Sequence, residues 1–269
     1  TVAVPFMVNV PAESGQFEVR ASVEMSGSSY DRGYSVIAYP HIETRRIYTD
    51  AVSRVSVFAL ETRAENVGYV EGAGDRVADS IRQLGIPVSF LTADDLSHGD
   101  LSAYDTIVLG IRAYAVREDL KAYNQRLLDY VESGGTVIVQ YNTYQALEDG
   151  YAPYPFSINR PHDRVTVEDA PITFLDPGHP MLNFPNVIST ADFEGWVQER
   201  GLYFMGDWDA RYTPILGSND PGEEPKLGGM MVAEIGAGRW VYTGYTFFRQ
   251  LPAGVSGAYR LFSNMISLG

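Results

Sequence analysis

The order of apolar and polar positions divides the chain into two parts. Residues 1–62 alternate apolar and polar side chains over short runs separated by Gly, Ser, Pro and Asp, which is typical of antiparallel strands. We predict strands at residues 2–10, 17–25, 34–39 and 54–60, packed as a small β-sandwich-like segment. The first strand begins with no lead-in, so we expect a further domain upstream of it.

From residue 66 onward, short apolar runs alternate with amphipathic stretches, which predicts an α/β domain at residues 63–269 with a parallel sheet and helices on both faces. The predicted strands of its sheet lie at residues 67–70, 87–91, 106–110 and 136–140, and the predicted helices at 76–84, 117–133 and 257–268. A hairpin is predicted from residues 229–235 and 239–245. Residues 141–190 are rich in Pro, Asn, Asp and Tyr, and we expect them to form an extended excursion over the carboxyl edge of the sheet.

The chain of 269 residues is acidic, with 34 Asp and Glu against 20 Lys and Arg. Residues 1–62 hold seven of these acids and five of the bases, so nearly all the excess negative charge belongs to the second part. This asymmetry supports a boundary near residue 62. A negative surface repels a phosphate backbone, so we expect no nucleic-acid partner. No apolar run has the length of a transmembrane segment.

The chain contains no cysteine, which excludes disulfides, thiolate metal sites and a cysteine nucleophile. Its histidines, His41, His98, His162 and His179, are too far apart in sequence for a local ligand cluster. No pair of them has the i, i+4 spacing that places two ligands on one helix face. We therefore expect no metal and no other cofactor.

Polar side chains follow three of the predicted strands, at the edge where open α/β sheets bind ligands. Glu71 follows the first strand, Arg112 and Tyr114 follow the third, and Tyr141 and Asn142 follow the fourth. We expect these residues to converge on a crevice for a small polar ligand. The alternative is that Arg112 pairs with a buried carboxylate and fixes the loops.

Gly72 and Gly74 partly match the dinucleotide-binding fingerprint, because they lie between a predicted strand and a predicted helix. The third glycine is missing. Asp75 would repel a pyrophosphate and is a good N-cap residue. We interpret this segment as structural.

A dense polar and aromatic segment supplies the interface candidates Asp192, Trp196, Glu199, Arg200 and Trp208. Tryptophan and tyrosine anchor protein interfaces, and aromatic rings interleaved with carboxylates also suit sugar stacking. Packing of the rings in the core is a third interpretation.

Three segments, residues 134–142, 176–181 and 238–244, resemble the class I glutamine amidotransferase-like fold, a flavodoxin-like architecture, in the branch that includes ThuA-like proteins. Four more resemble the C-terminal region of bacterial PIG-L/LmbE-type deacetylases; they are residues 39–42, 111–114, 192–204 and 247–255.

The resemblance places Tyr141 where an amidotransferase has its nucleophilic cysteine. A phenol is a poor acyl nucleophile at neutral pH, which implies that the hydrolase chemistry is lost and that no residue is catalytic. His179 is interpreted as a loop cap, with a vestigial acid–base role as the alternative. The zinc motif of the deacetylases is absent, so a zinc site would belong to an upstream domain. Deacetylases with this region are commonly exported, which implies a periplasmic or otherwise exported location.

Three functions stay open at this point. The preferred one is a non-catalytic accessory module that contacts a protein partner, an upstream deacetylase domain or a glycan. The second is a structural subunit of a larger periplasmic or membrane-attached complex. The third is a small-molecule-binding or hydrolytic domain that uses the Arg112/Tyr114 crevice.

Overall fold

The computed structural model describes residues 4–9, 11–143 and 150–269, in two compact units. The smaller unit ends at Ala59, and the larger one spans Leu60–Gly269. Glu61 belongs to the larger unit because its backbone N–H donates to Asn186 Oδ1 at 2.9 Å and its carbonyl accepts from Asn186 Nδ2 at 2.8 Å. The division therefore precedes the predicted boundary at residue 62.

The smaller unit consists of antiparallel strand pairs. Its strands are β1 (Gly15–Arg20), β2 (Val23–Met25), β3 (Ser28–Tyr30), β4 (Arg32–Ile37), β5 (Arg45–Asp50) and β6 (Val52–Val57). They form three separate two-stranded sheets, β1–β6, β2–β3 and β4–β5. The predicted sandwich of two facing sheets does not form among the described residues of this unit, since most of the strand side chains are exposed and none is fully buried. Residues 4–9, predicted as strand, have no regular secondary structure.

The larger unit alternates strands and helices. Its strands are β7 (Val67–Val70), β8 (Val88–Phe90), β9 (Thr106–Leu109), β10 (Thr136–Gln140), β11 (Phe156–Val165), β12 (Ile172–Phe174), β13 (Gly201–Trp208), β14 (Tyr212–Pro214), β15 (Leu216–Ser218), β16 (Met230–Ile235) and β17 (Gly238–Thr243). Its helices are α1 (Val77–Gln83), α2 (Ala93–His98), α3 (Ala113–Val116), α4 (Glu118–Ala122), α5 (Asn124–Glu132), α6 (Pro180–Asn183), α7 (Phe247–Gln250) and α8 (Ser256–Ile266).

A seven-stranded sheet in the order β14-β16-β17-β10-β9-β7-β8 forms the centre of this unit. The strands from β17 to β8 run parallel, β16 pairs antiparallel with β17, and β14 pairs antiparallel with β16. Val137 and Val139 of β10 pack in an apolar cluster with Leu127 and Tyr130 of α5. On β9, the Thr106 hydroxyl donates to the carbonyl of Ile266 in α8 at 3.0 Å. This arrangement confirms the predicted parallel sheet with helices on both faces.

Two predicted segments differ from the structure. The single helix at residues 117–133 is divided at Tyr123, directly before Asn124, whose side chain accepts from Tyr114 Oη and donates to the Tyr151 carbonyl. The excursion at residues 141–190 is not simply extended, because it contributes β11, which pairs with β13, and β12, which pairs with β15. Both pairings are non-local and leave no periodic signal in the sequence. Residues 144–149 of the excursion lie outside the described chain.

Candidate functional site

The position after β10, where the resemblance places a nucleophile, holds Tyr141. Its backbone N–H donates to the Thr243 carbonyl at 2.7 Å, and its carbonyl accepts from the Arg112 N–H at 2.9 Å. The residue therefore continues the strand instead of projecting from a sharp turn. Its side chain is 7% exposed, and its ring lies 5.2 Å from that of Tyr203 and 5.3 Å from that of Phe248. The ring is thus packed against these two aromatic side chains.

Arg112 covers the outer side of Tyr141. It adopts a left-handed backbone with φ of 55°, which a non-glycine residue rarely takes. Its Nη2 donates to Tyr141 Oη at 3.3 Å, and its guanidinium lies 5.7 Å from the centre of the ring. The hydrogen bond to Tyr141, together with the charge interaction, raises the pKa of Arg112. The pair closes this part of the sheet edge with a cation held over a phenol.

The other predicted pocket residues do not join this pair. Tyr114 is buried, donates to Asn124 Oδ1 at 2.6 Å and stacks on Tyr151. Burial raises the pKa of Tyr114 far above its ordinary value. Asn142 is buried and donates through Nδ2 to the Gln140 carbonyl at 2.7 Å. Glu71 is exposed and lines a separate cleft of about 200 Å³ beside Tyr69. The predicted five-residue crevice is therefore not assembled.

The crevice between the ends of β7 and β9 is closed by main-chain contacts. Gly110 donates to the carbonyl of Val70 at 2.8 Å, and Ala73 donates to that of Ile111 at 2.8 Å. A Cβ added at Gly72 would lie 2.0 Å from the Ile111 oxygen. Strand order reverses at this point of the sheet, which is where open α/β folds bind ligands. Here protein backbone occupies it.

Asp75 completes this closure. Its Oδ1 accepts from the Val77 N–H at the start of α1 at 3.0 Å and from the Tyr69 hydroxyl at 2.5 Å, and its Oδ2 accepts from the Ile111 N–H at 3.0 Å. Burial and the Asp75 carboxylate raise the pKa of Tyr69 well above its ordinary value. The carboxylate stands where a pyrophosphate would bind, in agreement with the structural interpretation of Gly72 and Gly74.

A polar cluster inside the sheet was not identified from the sequence. Gln140, at the end of β10, is buried and donates through Nε2 to Tyr69 Oη and to the Leu109 carbonyl, each at 3.3 Å. Its Oε1 and the Oδ1 of Asn142 have no hydrogen-bond partner among the described residues. A glutamine at the end of an otherwise apolar strand was the available signal.

His179 lies far from the end of β10. It caps α6, where its Nδ1 accepts from the Met181 N–H at 3.1 Å. Burial lowers the pKa of His179. The Met181 carbonyl in α6 accepts from Asn264 Nδ2 in α8 at 2.9 Å, and α8 in turn bonds Thr106 at the amino end of β9 through the Ile266 carbonyl. Because β9 and β10 run parallel and Tyr141 follows the carboxyl end of β10, α6 lies toward the opposite edge of the sheet. The histidine is a loop cap and cannot serve Tyr141 as an acid or base.

The interface candidates face mainly inward. Trp196 is 3% exposed, stacks on Phe193 and donates to the Asp192 carbonyl. Asp192 also pairs with Arg260 at 2.8 Å, which fixes this segment to α8. The indole is therefore packed among core aromatic rings and offers little surface to a protein partner.

The remaining interface candidates differ in exposure. Arg200 is 3% exposed and cannot contribute to an outer surface. Glu199 is partly buried and pairs with Arg249 at 3.2 Å. Trp208, at the end of β13, is partly buried against the main apolar cluster. Of the five predicted residues, none presents a freely exposed side chain to a partner.

A cleft of about 780 Å³ lies beside this segment. It is lined by Val167, Glu168, Asp169, Ala170, Pro171, Ile172, Thr190, Phe193, Glu194, Gly195, Trp196 and Arg200. Sequence reasoning selected Trp196 and Arg200 but missed residues 167–172, which come from another part of the chain and join the site through tertiary contacts. No cluster of three or more metal-ligating side chains occurs among the described residues. None of the described helices is long and apolar enough to cross a bilayer.

No protein-family model and no curated protein matches the sequence. Among solved structures, the chain is similar to PurLQS from Thermotoga maritima, with 15% identity and a TM-score of 0.50 over 76% of this chain and 98% of that one. It is also similar to a Thermoplasma acidophilum protein described as part of a GMP synthase, with 11% identity and a TM-score of 0.48 over 77% of this chain and 95% of that one. At such identities the likeness concerns the fold alone. The chain has the flavodoxin-like, amidotransferase-like fold that its motifs resemble.

Proposed function

We propose that this chain is a non-catalytic interaction module, in which an amidotransferase-like α/β unit carries a small β unit that binds a protein partner. The observation that best supports this proposal is the distribution of exposed apolar side chains. Of the twenty large apolar side chains that are exposed in the described chain, fourteen lie between Val4 and Tyr48. Exposed apolar surface on this scale is typical of protein-binding regions.

The pair β4–β5 offers the best-defined binding surface. Directly opposed residues share a face of an antiparallel pair, so Tyr34 and Tyr48 lie side by side with ring centroids 5.5 Å apart. The Arg46 guanidinium lies 5.7 Å from the Tyr34 ring centre. Tyrosine and arginine are enriched at the residues that dominate binding energy in interfaces. We call the face formed by Arg32, Tyr34, Val36, Arg46, Tyr48 and Asp50 the ribbon face.

Backbone groups are available beside the ribbon face. Within the described residues, β4 pairs with β5 in a sheet of two strands, so each strand keeps one unpaired edge. An extended segment of a partner can add to such an edge through main-chain hydrogen bonds, while side-chain contacts provide selectivity. This arrangement supports a protein partner over a glycan, because the tryptophan considered for sugar stacking, Trp196, is buried.

In the larger unit, the filled carboxyl edge of the sheet supports a non-catalytic role. Tyr141 and the main-chain contacts at Gly72 fill the two positions where this fold can hold a substrate. A ligand site at the Arg112/Tyr114 crevice loses support, since Tyr114 is turned inward to Asn124. We propose that the partner is an upstream deacetylase domain of the same polypeptide or, as the alternative, a subunit of a larger exported or membrane-attached complex.

The test is the intact mass of the protein purified gently from its native cells, with co-purifying proteins identified. A polypeptide much heavier than 29.7 kDa that carries a zinc motif supports the upstream domain, and one near 29.7 kDa in a stable complex supports the role of complex subunit. The protein is then isolated as the double variant Tyr34→Ser, Tyr48→Ser. We expect this variant to reduce association with the partner by about tenfold or more, because two adjacent anchor side chains are lost.

The matched control is Tyr123→Ser, which removes an exposed tyrosine from the larger unit. It should leave the association unchanged. A monomer near 29.7 kDa without any partner, or a complex that is indifferent to the double variant, would contradict the proposal.

A further inference from the structure

The cleft of about 780 Å³ in the larger unit is unrelated to the ribbon face and has the size of a small-molecule site. Two segments that are distant in sequence form its walls, residues 167–172 and residues 190–196. Arg200 joins them. Its Nε and Nη2 donate to the Ala170 carbonyl at 3.1 and 2.8 Å, and its Nη1 donates to the Phe193 carbonyl at 2.5 Å.

Arg200 is a buried cation without a counter-ion in contact. No ion pair among the described residues includes it, and its hydrogen bonds go to neutral carbonyls. A guanidinium has five N–H donors, so donor capacity remains beyond the three bonds. Burial lowers the pKa of Arg200, which shows the cost of keeping this charge away from water. An anionic group that reached it would relieve that cost.

A second buried polar group lies in the field of Arg200. The hydroxyl of Tyr245 is buried and has no hydrogen-bond partner among the described residues. The ring of Tyr245 packs edge-on against Trp196 with centroids 6.0 Å apart, and the Trp196 ring centre lies 5.4 Å from the Arg200 guanidinium. Tyr245 does not line the cleft, so the group that the cleft offers to a ligand at this end is Arg200, a cation that lacks an ion-pair partner among the described residues.

The rim of the cleft carries the opposite charge. Glu168, Asp169 and Glu194 line it with exposed side chains, and none of them takes part in an ion pair with a described residue. Glu168 accepts from the Gln198 N–H, which leaves Asp169 and Glu194 as the available carboxylates. These carboxylates repel a simple anion, and Arg200 disfavours a simple cation. A ligand that carries both charges satisfies both ends.

We propose that this cleft binds a zwitterionic amino acid or short peptide, with the ligand carboxylate at Arg200 and its ammonium group at Glu194 and Asp169. Val167, Pro171 and Ile172 lie on the lining and provide apolar contact for the body of the ligand. The cleft volume exceeds that of one amino acid, so a short peptide uses more of it.

Isothermal titration with four probes tests the proposal. Trialanine carries both charges, trialanine amide lacks the carboxylate, and N-acetyltrialanine lacks the ammonium group. L-leucine distinguishes a free amino acid from a peptide. We expect trialanine to bind saturably. Each singly charged analogue should bind more weakly by a factor of about ten or more, since each loses one charge-assisted contact.

Variants locate the binding at the cleft. Glu194→Gln should weaken trialanine by several-fold but should not weaken N-acetyltrialanine, because that probe has no ammonium group for Glu194 to hold and is repelled by its charge. Glu65→Gln, on an exposed side chain outside the cleft, is the matched control. Arg200→Lys removes the guanidinium group that joins the two walls. Its binding is measured only if thermal unfolding shows a folded protein. Absence of saturable binding by both trialanine and leucine, or equal affinity for all three trialanine probes, overturns the proposal.

Discussion

Single glycines determine the shape of the carboxyl edge of the sheet. At Gly72, the missing side chain lets the loop after β7 lie against the carbonyl of Ile111, and the Asp75 carboxylate secures the contact. The resulting backbone bonds at Ala73 and Gly110 then hold the ends of β7 and β9 together. The absence of a Cβ atom at residue 72 therefore allows this crevice to close.

A Gly72→Ala substitution should lower the free energy of unfolding by about 2–4 kcal/mol, because the new methyl group overlaps a backbone oxygen that cannot rotate away. Urea denaturation measures the change. Gly178→Ala is the control, since its methyl group would lie 3.8 Å from Asp176 Oδ1, an ordinary contact distance, and should change the free energy by less than about 0.5 kcal/mol. Equal effects at the two positions would contradict the closed crevice.

At the residue scale, sequence reasoning could place side chains along the chain but could not determine their direction. Arg112 and Tyr141 meet as expected, since both follow neighbouring strands. Tyr114 was expected beside them, yet the helical turn of α3 directs it inward to Asn124. Trp196 and Arg200 carry an interface-like composition but are buried. Composition does not specify burial, because the partners that cover these residues come from distant segments.

At the scale of elements, the strand and helix periods predicted the central sheet. They did not predict the short segments, whose form depends on local hydrogen bonds. β7, β9 and β10 agree with their apolar runs to within a residue. The closing hairpin also formed as predicted, with Ile235 opposite Gly238 across a two-residue turn. β11 and β13 were not predicted, because their pairing joins segments on either side of a loop-rich stretch and contains irregular register.

His179, at the start of helix α6, should make the stability of the protein depend on pH. The pKa of His179 is lowered by burial below the value of 6.5 expected for the unfolded chain, so the folded state favours the neutral ring. The stability contributed by this group is present above about pH 6.5 and is lost as the pH falls through the folded pKa. His179→Asn keeps an acceptor for the Met181 N–H but removes the titration.

We therefore expect the melting temperature of the wild-type protein to fall more between pH 7.5 and pH 5 than that of the His179→Asn variant. Thermal denaturation followed by circular dichroism at a series of pH values provides the comparison. Parallel curves for the two proteins would mean that His179 titrates alike in the folded and unfolded chains.

At the scale of the whole molecule, the two units have different sources of stability. The larger unit buries its apolar strands on both faces of the sheet, whereas the strands of the smaller unit expose most of their side chains. Sequence patterning separated these two parts, since alternation and charge change near residue 62. It could not show that the smaller unit lacks a sandwich core, because alternation predicts strands without fixing what covers them.

A chain shortened to residues 60–269 should fold cooperatively, with a melting temperature within about 5 °C of the full chain, because its core lies within that unit. Binding of the dye ANS should fall, since most of the exposed apolar side chains are removed. Calorimetry and ANS fluorescence test both statements. Failure of the fragment to fold would show that the smaller unit completes the larger one.

The main-chain closure at Gly72 also limits what evolution can do with this molecule. A pocket filled by side chains can be emptied by a few substitutions around it, whereas this closure is made by backbone atoms and depends on the glycine at position 72. Replacing Tyr141 with cysteine would therefore supply a thiol without a place for its substrate. Opening the crevice would require a change at Gly72 itself, or inserted or deleted residues in the loops after β7 and β9.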